Sequence, residues 1–130
     1  MAFRSVKVLI ATIGLGLGSA ASAEDPVYIG TDSSGAVWYY YADTIRKNSN
    51  NKVEVWTEMD ASKDKTVSSY RTMRIRFRID CSAETRAILA VYQYRPDGTL
   101  IDGSSRMTAD MEPIVPGTFD QKLFNIMCPQ

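Results

Sequence analysis

From residue 27 onward the chain alternates apolar and polar side chains in short runs, and glycine, asparagine, aspartate or proline separates one run from the next. A period of two sends successive side chains to opposite faces of a strand, so the pattern predicts antiparallel strands joined by tight turns. Residues 27–31 and 36–41 flank Asp32-Ser33-Ser34-Gly35, whose glycine can take the positive φ of a hairpin turn. Residues 43–47 read as one helical turn, and the asparagine-rich stretch from Asn48 to Asn51 reverses the chain. In residues 52–59, Val53 and Val55 share one face while Glu54, Trp56 and Glu58 share the other. Residues 60–66 are charged and are expected to be exposed. The clearest strand is 71–81, where Met73, Ile75, Phe77 and Ile79 point one way, Arg74, Arg76 and Arg78 the other, and Cys81 continues the apolar face.

Residues 86–94 are again β-rich, and Arg95-Pro96-Asp97-Gly98 is a turn in which proline fixes one φ and glycine supplies the left-handed one. A short strand is expected at 99–102, followed by a long loop containing Pro113 and Pro116. Beyond Gly117 the period changes: Phe119, Leu123, Ile126 and Met127 fall on one side of a helix. Thr118 and Gln121 have the spacing of a capping box, which satisfies free backbone N–H groups in the first turn. The fold class is therefore α+β: an antiparallel sheet of about six strands, with one C-terminal helix covering one face. No internal repeat or linker calls for a second domain in a chain of 130 residues.

The first 23 residues read as a secretory signal. Arg4 and Lys7 precede an apolar run from Val8 to Leu17, and Ala21-Ser22-Ala23 supplies the small residues a signal peptidase reads. That run is about half the roughly 20 residues a membrane-spanning helix needs. Cleavage after Ala23 leaves residues 24–130, and taking Arg4 and Lys7 from the 15 basic residues leaves 13 against 15 acidic ones. This charge gives no footprint for nucleic acid. The expected location is outside the inner membrane: the periplasm first, the cell surface or medium as alternatives. No lipid anchor is expected, because no cysteine stands just after the cleavage site and the first in the chain is Cys81.

Two cysteines in an exported chain read as one disulfide, Cys81–Cys128, with a redox pair or free thiols as the alternatives. There is no Cys-x-x-Cys spacing to favour the redox reading. The sequence has no histidine, which removes Ser-His-Asp and Cys-His catalysis, two-histidine metal sites and histidine pH sensing. Asp60, Lys63, Asp64 and Lys65 mix signs, unlike a calcium loop. No enzyme activity, metal or cofactor is expected. The candidates for partner contact are the arginine stripe Arg74, Arg76 and Arg78, and the aromatics Trp38, Tyr39, Tyr40, Tyr41, Trp56, Tyr92 and Tyr94, which fall on both strand faces and serve either core packing or a partner, with Trp56 and Tyr40 singled out. The stripe suits a sulfated glycan, an anionic lipid or an acidic protein patch, unless Glu54 and Glu58 of a neighbouring strand pair with it. Trp56 stands out because it shares a face with the glutamates and not with the valines.

The order Trp38-Tyr39-Tyr40-Tyr41, Val53-Glu54-Val55-Trp56, Asp80-Cys81, a strand and turn from Tyr92 to Gly98, Glu112-Pro113-Ile114-Val115-Pro116-Gly117-Thr118 and Cys128 resembles the surface-adhesin protein E-like family. The resemblance spans residues 24–130. It implies a small antiparallel sheet with a C-terminal helix tied on by the cysteine pair, in a Gram-negative envelope. For the family's named member it implies binding to host extracellular proteins such as vitronectin and laminin. The chain departs from the family pattern in Met111, where a tryptophan is expected, and in having no cysteine to carry lipid. The expected function is an exported, non-enzymatic binding module for matrix proteins or anionic partners; the alternative is a soluble periplasmic structural or accessory protein.

Overall fold

The computed structural model describes residues 25–67, 69–101 and 110–129. The alternating runs form strands β1 (Val27–Thr31), β2 (Val37–Tyr40), β3 (Arg46–Lys47), β4 (Lys52–Asp60), β5 (Thr72–Asp80), β6 (Thr85–Tyr94), β7 (Leu100–Ile101) and β8 (Glu112–Pro113). They make one antiparallel sheet in the order β1-β2-β4-β5-β6-β7, with β3 also beside β4 and β8 also beside β6. Helix α1 (Phe119–Met127) follows the last strand. The six-strand path with one C-terminal helix is the architecture the periodicity predicts.

Two short segments differ from the sequence reading. Residues 42–44 form a single 3-10 turn, and Arg46 and Lys47 then leave it to pair with Glu54 and Val53 of β4. Glu112 and Pro113, expected in a loop, pair with Arg86 and Thr85. The expected end of the short strand at Asp102 lies outside the described residues.

The core lies between the sheet and α1. Val53 and Val55 of β4 and Ile75, Phe77 and Ile79 of β5 are buried against Leu123, Phe124 and Met127 of the helix. Each such side chain contributes roughly 1.5–3 kcal/mol by leaving water. The helix is rotated from the expected face: Phe124 is buried, while Ile126 remains 38% exposed. At about 100° per residue, Leu123, Met127, Asp120 and Phe124 fall on one arc. The arc is fixed because Asp120 is held to Arg86 of β6 at 2.7 Å and Cys128 is bonded to Cys81 at the end of β5. Phe119 closes the other end by stacking on Trp38, with ring centroids 4.0 Å apart.

Thr118 caps the helix, accepting from the Gln121 backbone N–H at 3.4 Å and donating to the Val115 carbonyl at 2.7 Å. The Gln121 amide runs along the helix to Asn125, so the threonine half of the capping box is the half used. The 61–66 connection is also more buried than its charge suggests. Ala61 and Asp64 are covered, and the Asp64 carboxylate accepts from Thr66 and from Ser34 of the first hairpin.

Candidate functional site

The sheet face opposite α1 carries the charged and aromatic half of each alternating strand. In the β4–β5 register, Glu54 faces Arg78, Trp56 faces Arg76 and Glu58 faces Arg74. Cross-strand neighbours on one face lie about 5 Å apart at Cβ, close enough for long side chains to meet. Glu54 takes both Arg76 and Arg78, the latter through Nε at 3.0 Å and Nη2 at 2.8 Å. Glu58 accepts from Arg74 Nε at 3.0 Å and from the Tyr41 hydroxyl at 2.6 Å. Partial burial alone would raise the Glu54 carboxyl, but the hydrogen bonds from Arg78 and Arg76 outweigh it and hold it below its ordinary value. Burial, then the bond to Glu58, pushes the Tyr41 hydroxyl up to about 12.

Beside this ladder the face opens into a groove of about 460 Å³ lined by Tyr41, Trp56, Arg74, Tyr92, Tyr94 and Leu100, and also by Asp43 and Thr44. Arg74 lies between two rings, its guanidinium carbon 5.4 Å from the Tyr41 centroid and 5.7 Å from that of Tyr94. Such cation–π contacts hold a long side chain in place at an exposed site for about 0.5–1 kcal/mol each. Trp56 and Tyr92 lie side by side with centroids 6.0 Å apart. Leu100 of β7 is 49% exposed.

A single irregularity brings the two β6 tyrosines here. Phe77 pairs with Ile88 but Arg76 pairs with Ala90, so Leu89 is an extra residue in β6. In strict alternation Tyr92 would face Met73 on the core side; after the bulge it faces Arg74.

The family profile for surface-adhesin protein E matches residues 27–129, nearly the whole described chain. The chain belongs to that family. A solved structure, crystal form II of protein E from Haemophilus influenzae, superposes with a TM-score of 0.60 at 12% sequence identity, covering 95% of this chain and 96% of that one. At that identity the likeness concerns the fold. Among curated proteins no sequence matches. As an adhesin E-family protein, the chain is a surface-adhesin-like module, and no helix among its described residues is long and apolar enough to cross a membrane.

The residues singled out in the sequence of this adhesin E-family chain divide between the two faces. Arg74, Arg76, Arg78 and Trp56 are brought together on the helix-free face. Tyr40 is not: it pairs with Thr57 on the opposite face and packs against the core under the helix. Alternation along β2 requires this, since Trp38 already stacks on Phe119 and Tyr40 is two residues on. The neighbours Tyr39 and Tyr41 take the outer face, where Tyr41 reaches Glu58. Cys81 and Cys128 form the disulfide. Tyr41, Tyr92 and Tyr94 are among the aromatics the sequence offers without a face, and sequence reasoning missed Leu100 as a groove residue. The signal available was the exposed phase of β4, which Tyr41 extends through its backbone bond to Trp56.

Proposed function

We propose that the chain is an exported, non-enzymatic binding module that contacts its partner through the helix-free face of the sheet. The observation that carries this reading is the open groove of Tyr41, Trp56, Tyr92 and Tyr94 on a face no other element covers among the described residues. Tryptophan, tyrosine and arginine are the residues that most often dominate binding energy, and here they are concentrated and held in fixed positions. Family membership supports a matrix protein as the partner class. Glu54 and Glu58 neutralise two of the three arginine charges, so a protein surface suits the face better than a sulfated glycan does. The amino-terminal signal over residues 1–23 supports export.

The same ion pairs favour a second reading, a soluble periplasmic structural or accessory protein whose arginines serve the sheet. Protease accessibility of the tagged protein separates the two. Digestion in intact cells, or release to the medium, is expected of the binding module, and Trp56→Ala should then weaken retention on immobilised matrix proteins about tenfold. Protection until the outer membrane is permeabilised would overturn the host-facing role and leave the periplasmic one.

A further inference from the structure

We infer that the groove takes a proline-rich segment of a partner protein in the extended polyproline II conformation. This deepens the reading of the helix-free face as the contact surface and rests on it. Shape comes first. Trp56 and Tyr92 are tilted by only 31° to one another, so they form a continuous shelf and not a closed cage. The stack of Tyr41, Arg74 and Tyr94 lines the same cavity. Aromatic surfaces of this kind bind pyrrolidine rings, and a polyproline II segment is stiff before it binds, so it loses little entropy on docking.

Hydrogen bonding points the same way. Among the described residues no hydrogen bond engages the Trp56 indole N–H or the Tyr92 and Tyr94 hydroxyls, while the Arg74 guanidinium is already held by Glu58, Tyr41 and Tyr94. The indole and both hydroxyls can donate. A polyproline II chain has no internal hydrogen bonds, and its prolines have carbonyls to offer and no N–H to satisfy. A neutral saccharide brings donors as well as acceptors, yet Asp43 is the one carboxylate lining the groove.

The ladder sets three arginines against two glutamates, and Asp43 lines the groove, so the surface is close to neutral. A polyanion gains its affinity from many uncompensated cations and finds few here. A neutral proline-rich chain complements the surface and leaves the ion pairs intact.

The test measures fluorescence anisotropy of labelled decapeptides with the purified protein at physiological ionic strength. The panel places proline at every second or third position; the controls are a glycine-serine decapeptide, a heparin-derived oligosaccharide and a neutral oligosaccharide. Saturable binding of panel peptides is expected, with Trp56→Ala and Tyr92→Ala each about tenfold weaker and Lys122→Ala, on the exposed side of the helix, unchanged. Trp56→Phe keeps a ring and loses the N–H, so a smaller loss from a variant with unaltered thermal unfolding separates contact from folding. No saturation by any panel peptide, equal loss in Lys122→Ala, or binding of an oligosaccharide alone would overturn the inference. If Trp56→Ala still abolishes binding of an intact matrix protein while no panel peptide binds, the ligand class fails and the surface stands. If matrix-protein binding ignores Trp56→Ala, the surface itself fails.

Discussion

Glu54 holds two guanidinium groups at once, and that makes it the most consequential charge on the outer face. Glu54→Gln keeps the shape and removes the charge. Because water screens the pairs, the cost is about 1 kcal/mol, seen as a fall of about 4 °C in Tm for a domain of this size. The carboxyl titrates below its ordinary 4.5 in the folded protein, so its contribution is full above 4.5 and is lost as pH falls through the lower folded value. Thermal unfolding from neutral pH downward should therefore show a constant gap between wild type and Glu54→Gln that closes only below 4.5. Gly35 offers a second test. Its φ is +101°, and a Cβ there would lie 2.7 Å from the Lys63 carbonyl oxygen, whereas Gly98, at +90°, has open space around it. Gly98→Ala should cost about 1 kcal/mol for backbone conformation, and Gly35→Ala clearly more, as read by denaturant unfolding.

The helix depends on its two attachments, the Arg86–Asp120 pair in its first turn and the disulfide at its end. The cysteines are 47 positions apart, and chain-entropy reasoning gives about 4 kcal/mol for closing such a loop. Cys81→Ser with Cys128→Ser should lower unfolding free energy by roughly that amount in urea, and reductant should do the same to wild type and nothing further to the double variant. The long strands were legible because nine residues of alternation in β4 and β5 leave no ambiguity about face; the pairing of Glu54 and Glu58 with the arginines also required the two strands to be antiparallel neighbours, a condition the sequence left open and the register meets. Two-residue strands such as β3 and β8 carry no period and exist only because a neighbour offers free backbone groups. The helix face was misjudged at Ile126 because its rotation is set by Asp120 and Cys128, tertiary attachments that a hydrophobic count does not register. Leu89 hides in the same way. A bulge looks like an uninterrupted β-rich run, yet it decides on which side Tyr92 and Tyr94 emerge.

The molecule as a whole is a sheet with unequal faces, one sealed by a disulfide-held helix and the other carrying paired charges around an aromatic groove. Sequence periodicity located that outer face and Trp56 within it; the groove itself needed the bulge and the return of β7 beside β6, both long-range features. Rigid placement of the contact residues on strands, with Arg74 braced by two rings and Glu58, is what a binding surface requires if little ordering entropy is to be lost on association. Hydroxyl-radical footprinting of the protein, free and bound to an immobilised matrix protein, tests the claim that this face makes the contact. Oxidation of Trp56, Tyr92 and Tyr94 is expected to fall on binding while Val115 and Ile126, exposed near the helix, react as before. Protection of Val115 and Ile126 with undiminished oxidation of Trp56 and Tyr92 would contradict that claim.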